Sequence, residues 1–122
     1  KNITQMGGTM RLGAYECTLD EESTAFKAYG ENKIYERHRH RLEFNNAYIE
    51  DMVTGGLSLI GVNEQRDLAE IFELKSNRWH LGCQFHPEFK SKPFFPHPLF
   101  RSFIEAAYSY NKDNAAQENS AE

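Results

Sequence analysis

Residues 79–89 read WHLGCQFHPEF. From Trp79 to Phe85 apolar and polar side chains alternate, which is the period of a β-strand with one buried face. The tripeptide His-Pro-Glu at 86–88 follows directly, so it begins the loop at the carboxyl end of that strand. Active-site loops of α/β proteins leave their sheets at this end. The run therefore predicts a sheet strand that leads into a polar, chemically capable loop.

The segments around this run alternate between strand and helix patterns. Strands are predicted at 11–19, 33–44, 57–62 and 68–74, and a polar turn between the last two indicates a hairpin. Helices are predicted at 23–29, from 46 to 53, and from Pro98 onward. Strands that alternate with helices around one hairpin favour an α/β layered fold.

The composition limits the function classes. Hydrophobic residues make up 39% of the 122 residues and aromatic residues 13%, so a packed core is expected. The net charge of -4 argues against a nucleic-acid partner. No apolar run approaches the roughly 18 residues of a transmembrane helix, so no membrane partner is expected. Two cysteines are too few for a disulfide framework, which favours a cytoplasmic location.

The chain is expected to form one unit over residues 1–112, followed by a disordered polar tail at 113–122. Lys1 is not a start methionine. We therefore expect the sequence to be a piece of a longer protein.

His86 and Glu88 are the first candidate functional residues. A carboxylate two residues after a histidine can accept the imidazole N–H, set the tautomer and raise the basicity of the ring. Pro87 stiffens the connection between them. The alternative is a turn that contains an unrelated histidine and acid.

The run Arg-His-Arg-His-Arg at 37–41 is the second candidate. On a strand, its arginines would line one face and its histidines the other. A solvated charged strand, capture of a carboxylate or another anion by an arginine fork, and contact with nucleic acid are three possible interpretations.

Histidines with nearby acids also suggest a metal site. A β-rich, cupin-like domain could bind a metal through His38, His40 and His86. The spacing fits this pattern poorly, because Glu43 follows His40 too closely. We keep it as the alternative hypothesis.

The two cysteines, Cys17 and Cys83, both lie in strand-like segments. Buried cysteines of this kind usually act as small hydrophobic residues. Neither lies in a G-x-C-x-G turn, which would expose a nucleophile.

Four segments resemble the CTP synthase family, in the C-terminal part of its class I glutamine amidotransferase (glutaminase) domain. The resemblance extends from about residue 6 to about residue 110. The matching segments are MGGTMRLG at 6–13, ERHRHR at 36–41 with the nearby Glu43 and NN at 45–46, CQFHPEF at 83–89, and HPLF at 97–100.

The resemblance implies the C-terminal half of a flavodoxin-like amidotransferase domain, with a mixed sheet, a β-hairpin and flanking helices. It also implies a Cys-His-Glu triad, in which His86 matches the histidine and Glu88 the acid. Arg41 matches the residue that holds the substrate glutamine. The full enzyme would convert UTP to CTP, with ammonia from glutamine and with ATP.

Other parts of such an enzyme are expected upstream: the nucleophilic cysteine, the oxyanion loop and the synthase domain. No cofactor is expected within this segment, while ATP and Mg²⁺ would bind the synthase domain. UTP and GTP would also interact through the rest of the enzyme, which is expected to be a cytoplasmic homotetramer. We therefore expect this chain alone to be inactive.

Overall fold

Residues 10–121 form a five-stranded sheet with three helices. The computed structural model describes residues 10–121. The strands are Arg11–Leu19 (β1), Lys33–His40 (β2), Ser58–Asn63 (β3), Leu68–Glu73 (β4) and Leu81–Cys83 (β5). The helices are Thr24–Tyr29 (α1), Ile49–Thr54 (α2) and Pro98–Ser120 (α3), with 3₁₀ turns at Asn46–Tyr48 and Pro87–Phe89. Residues 6–9, which belong to the first family-like segment, lie outside the described residues.

The strand order is β2-β1-β3-β4-β5, and all four neighbouring pairs among residues 10–121 are antiparallel. The α/β class and the predicted β3–β4 hairpin are confirmed, but the described sheet is antiparallel where a mixed one is expected. Beyond β5 the backbone N–H of His86 donates to the carbonyl of Arg37 on β2, at 3.0 Å. The sheet therefore curls until the chain after one edge strand reaches the other edge strand.

Helix α1 has the termini that its sequence predicts. The Ser23 side chain accepts a hydrogen bond from the backbone N–H of Phe26, at 3.0 Å. Gly30 ends the helix at φ 77°, in the left-handed region that glycine adopts without strain. The short helix is thus capped at both ends, and its buried Ala25 packs into the core.

Apart from α3, three elements differ from their predicted bounds by more than one residue. Strand β2 ends at His40 because that residue pairs with Arg11, the first residue of β1. The segment from residue 46 begins as a 3₁₀ turn capped by Asn45, and becomes α-helical only at Ile49. Strand β5 covers only Leu81–Cys83, because Trp79 turns aside and its indole N–H donates to Ser102 on α3, at 2.9 Å.

The expected disordered tail is not observed: α3 continues through residues 113–120. Ala115, Ala116, Gln117 and Glu118 favour helix, and extending an existing helix avoids the cost of nucleation. No helix among residues 10–121 is both long and apolar enough to cross a membrane.

The core lies between the inner face of the sheet and helices α1 and α3. Its buried apolar members are Cys17, Leu19, Ala25, Ile34, Ile60, Ile71, Phe85 and Leu99. Gly61 is required where the pairing of β3 with β4 is irregular, because a Cβ there would lie 2.8 Å from Cγ1 of Ile71. The interior also contains buried charged and polar side chains, which lead to the candidate site.

Candidate active site

His86 and Glu88 form a close pair at the start of the loop after β5. Nδ1 of His86 and Oε1 of Glu88 are 2.7 Å apart. Pro87 is the first residue of the 3₁₀ turn Pro87–Phe89, which contains Glu88, and its fixed φ suits a helical first turn. The turn alone brings the side chains of residues 86 and 88 together, and no contact from another strand or helix is needed for their hydrogen bond.

The loop is held against the free edge of β2. The His86 backbone donates to Arg37, as described above, and the Lys90 ammonium donates to the carbonyl of Tyr35, at 2.7 Å. The imidazole of His86 stacks on the ring of Phe89, with centroids 4.9 Å apart and planes 18° apart. These contacts fix both the backbone and the ring of the histidine.

The pair is open to solvent. The His86 side chain is 37% exposed and that of Glu88 is 56% exposed. The hydrogen bond to His86 holds the pKa of Glu88 below its ordinary value, so this carboxylate is ionised at neutral pH. Among residues 10–121, nothing hydrogen-bonds to Nε2 of His86. That nitrogen is therefore accessible to a proton donor brought from outside the pair.

The arginine run divides between the two faces of β2 as its spacing predicts. Arg37 and Arg39 point outward, whereas His38 is 2% exposed and points into the core. Together with Phe89, the two arginines line an open cavity of about 460 Å³ beside the His86 loop. Arg41 lies just beyond the strand and is exposed; within residues 10–121 it forms no ion pair, and it does not line that cavity.

A buried ionic cluster lies on the inner face of the sheet, and sequence reasoning did not identify it. The Arg11 guanidinium pairs with Glu70 on β4 and with Glu43, at 2.9 Å from Nε to Oε1 of Glu43. His40 contacts the same Glu43, at 3.0 Å. Burial raises the pKa of Glu70, and the hydrogen bond from Arg11 opposes that effect. The cluster joins β1, β4 and the segment that follows β2.

His38 lies next to this cluster as a neutral side chain. Burial, followed by the positive charge of Arg11, lowers the pKa of His38 to about 3. Its Nε2 lies 3.4 Å from Oε2 of Glu70. His38 is thus a core histidine at neutral pH.

The alternative of a metal site is not supported. Among residues 10–121, no group of three or more His, Cys, Asp or Glu side chains is arranged to hold a metal ion. His40 is engaged by Glu43, and His86 by Glu88. His38 and His40 thus belong to the buried cluster, with ring centroids 5.0 Å apart, whereas His86 lies in the exposed loop.

Another histidine–glutamate pair lies in the interior. Nε2 of His97 is 2.8 Å from Oε1 of Glu36, and the Tyr29 hydroxyl donates to the same oxygen, at 2.8 Å. Nδ1 of His97 accepts from the backbone N–H of Leu99 and so caps α3. The sequence contained one signal for this site: the period of β2 puts Glu36 on the inward face with His38.

The two cysteines lack the properties of an activated nucleophile. Cys17 is 1% exposed, and burial raises the pKa of its thiol. Burial also raises the pKa of Cys83 to about 12, and its Sγ lies 3.6 Å from the carbonyl oxygen of Phe85. A catalytic thiol needs a lowered pKa and access to substrate. Both cysteines instead pack as small hydrophobic residues, as expected.

The curled antiparallel sheet agrees with the comparisons with known proteins. The family model of the class I glutamine amidotransferases matches residues 1–106, and the chain belongs to that family.

The individual relatives are more specific. The chain is 56% identical over 115 residues to the CTP synthase of Hydrogenobaculum sp., covering 94% of this chain and 22% of that protein. It is 60% identical over 107 residues to the CTP synthase of Geotalea uraniireducens, covering 88% and 20%. The chain thus spans about a fifth of the length of these curated relatives.

A solved structure agrees with these matches. The glutaminase domain of the CTP synthase from Trypanosoma brucei, with bound acivicin, superposes with a TM-score of 0.77 at 39% identity. The match covers 83% of this chain and 40% of that one. The expected fold, that of a class I glutamine amidotransferase domain, is therefore confirmed.

Proposed function

We propose that this chain contributes the histidine and the acid of the glutaminase site in a CTP synthase. That enzyme would aminate UTP to CTP with ATP, using ammonia released from glutamine. The observation behind the proposal is the exposed pair with Nδ1 of His86 2.7 Å from Oε1 of Glu88. The similarity to the CTP synthases of several bacteria supports the assignment.

His86 would act through its free Nε2. It accepts the proton of a cysteine thiol as the sulfur attacks the amide carbon of glutamine, and gives that proton to the departing ammonia. It then accepts a proton from the water that attacks the resulting thioester. Glu88 holds the proton on Nδ1 and stabilises the imidazolium formed in each step.

The thiol in this proposal comes from outside the present sequence. Cys17 is buried, and Cys83 has a pKa of about 12, so neither supplies a thiolate near neutral pH. We expect this chain alone to release no ammonia from glutamine. Measured ammonia release by the isolated chain would contradict that part of the proposal.

Arg41 is proposed to bind the α-carboxylate of glutamine. Its guanidinium is exposed and has no ionic partner among residues 10–121, so its donors are available to a carboxylate. Replacing Arg41 with Ala should raise the KM for glutamine more than it lowers kcat. Arg101→Ala, which removes an exposed arginine on α3, is the matched control.

Nucleotides and Mg²⁺ are assigned to other parts of the enzyme. In residues 10–121 no cluster of acids and histidines is suited to a metal ion, so no step performed by this chain's residues is assigned to Mg²⁺. UTP, ATP and GTP would act through the remaining domains of a cytoplasmic homotetramer.

The test uses the complete gene product that contains this sequence. His86→Ala should abolish CTP formation with glutamine but preserve it with added ammonium, because ammonia bypasses the glutaminase. His80→Ala, which removes another exposed histidine, should leave both activities unchanged. Retention of glutamine-dependent activity by His86→Ala would refute the proposal.

A further inference from the structure

Lys90 lies directly after the 3₁₀ turn that contains Pro87 and Glu88. Its backbone N–H donates to the carbonyl of Pro87, at 3.1 Å, and closes the turn. Its ammonium reaches back to β2, where Nζ lies 2.7 Å from the carbonyl oxygen of Tyr35 and 3.4 Å from Oε1 of Glu36. One residue therefore both ends the turn and attaches it to the sheet.

Two hydrogen bonds, called tethers below, hold the catalytic loop (residues 86–90), one at each end. At its start the His86 backbone donates to Arg37; at its end the Lys90 side chain donates to Tyr35. These two acceptors are alternate carbonyls of an edge strand, so both point away from β1. Between the tethers, the Glu88 carboxylate is 56% exposed, and its hydrogen bond is to His86. The geometry of the His–Glu pair depends on where the loop ends are held.

Glu36 provides a rigid support for the second tether. The carboxylate is fully buried, and Oε1 receives hydrogen bonds from His97 and Tyr29. Burial acts to raise the pKa of Glu36, but these hydrogen bonds outweigh it, so the pKa lies below the ordinary value. Glu36 is consequently a fixed negative charge beside the Lys90 ammonium.

We propose that Lys90 is a positioning residue, which sets the distance and orientation of the His86–Glu88 pair by tying the loop end to Tyr35 and Glu36. The inference rests on the proposed glutaminase function. Lys90 itself touches neither the imidazole nor the Glu88 carboxylate in a hydrogen bond. It acts on the reaction through the backbone that bears them.

Lys90→Met in the complete gene product tests this role, because methionine preserves the aliphatic stem and removes the donor. Charge-assisted hydrogen bonds and small displacements of catalytic groups have large effects on rate, so kcat for ammonia release should fall about tenfold to a hundredfold. The KM for glutamine should change less than twofold. The ammonium side chain is 43% exposed, so the thermal midpoint should stay unchanged.

Lys92→Met is the matched control, since Lys92 is exposed two residues further on and forms backbone hydrogen bonds with Phe95. The kcat for ammonia release, the KM for glutamine and the thermal midpoint of Lys92→Met should equal those of the wild type. Lys90→Arg keeps a donor that can reach Tyr35 and should recover most of the lost kcat. CTP formation from added ammonium should be equal in all these variants.

Each other outcome is informative. If Lys90→Met behaves like Lys92→Met while His86→Ala is inactive, the positioning role is wrong and the glutaminase assignment stands. If Lys90→Met lowers the thermal midpoint and both activities together, Lys90 is a structural residue, and the inference is overturned. If His86→Ala retains glutamine-dependent activity, the proposed function itself fails.

Discussion

Two of the histidine–glutamate pairs among residues 10–121 have nearly equal distances and opposite surroundings. His86 and Glu88 are 2.7 Å apart with side chains 37% and 56% exposed; His97 and Glu36 are 2.8 Å apart with side chains 1% and 0% exposed. The close contact alone therefore does not identify a catalytic pair. What differs is the second ring nitrogen: that of His97 accepts from Leu99, while Nε2 of His86 has no partner among residues 10–121.

The difference in burial predicts a different role for each pair. A buried pair contributes to stability through fully used hydrogen bonds, and losing one member leaves the other buried without a partner. An exposed pair contributes little to stability, because water solvates either member when the other is removed. It can instead exchange protons with a substrate. Mutations should therefore separate the pairs into one that affects folding and one that affects chemistry.

Glu36→Ala should have the largest effect on stability. It leaves His97 and Tyr29 without their acceptor and Lys90 without its charged neighbour. Breaking a buried pair costs about 3–5 kcal/mol in free energy of unfolding, which urea denaturation of the complete protein would measure. Glu88→Ala is the control from the exposed pair and should change that free energy by less than about 0.5 kcal/mol. An equal decrease in the free energy of unfolding in the two variants would contradict the distinction between the buried and the exposed pair.

Glu88→Gln should have the largest effect on chemistry. Glutamine keeps the size of the side chain but does not hold the proton on Nδ1 of His86 as a carboxylate does, so the imidazole loses its tautomer control. Ammonia release from glutamine should fall about a hundredfold or more, and the urea midpoint should not move. Wild-type rates in this variant would show that Glu88 does not orient the histidine.

Acid should destabilise the fold through the buried His38. The pKa of His38 in the folded state is about 3, below the ordinary 6.5. Between these two pH values the side chain is protonated in the unfolded chain and neutral in the folded one. This contribution to stability is present above pH 6.5 and is lost as the pH falls. Between pH 6.5 and about 5, the free energy of unfolding should therefore fall by about 2 kcal/mol.

His38→Gln should flatten the pH dependence of urea denaturation over this range, because glutamine does not titrate. The exposed His80→Gln is the control and should leave the slope unchanged. An unchanged slope in His38→Gln would mean that folding does not lower the pKa of His38.

Arg101→Ala should have the smallest effect. Arg101 and Glu105 form an i,i+4 pair on α3 with Nε 3.0 Å from Oε1, and both side chains are mostly exposed. Such pairs contribute about 0.3–0.5 kcal/mol, and less in high salt. The thermal midpoint should shift barely and the shift should vanish in high salt. A decrease in the thermal midpoint that does not depend on salt would show that exposure does not predict how much this ion pair contributes to stability.

Local patterns in the sequence predicted most of the elements and the exposed pair. The bounds of β1, the caps of α1, the hairpin and the outward arginines all follow from periods of two or from capping chemistry. His86 and Glu88 are two residues apart, so the sequence alone could suggest their contact. That contact depends on a single turn, which Pro87 begins.

The buried pairs could not be predicted in the same way. His97 and Glu36 are 61 positions apart, and Arg11 and Glu70 are 59 apart. Their meeting depends on the curl of the sheet and on where α3 begins, which no local period specifies. The pattern of β2 places Glu36 inward, but nothing near it in sequence shows which cation or donor it meets.

The most direct measurement compares His86→Ala with His97→Ala in the complete gene product, for both ammonia release from glutamine and free energy of unfolding. His86→Ala should lose ammonia release by on the order of 10³-fold and keep wild-type stability. His97→Ala should lose several kcal/mol of stability, about what a broken buried pair costs. Ammonia release that survives His86→Ala, or equal destabilisation by the two variants, would contradict the assignment of the exposed pair to chemistry and the buried pair to folding.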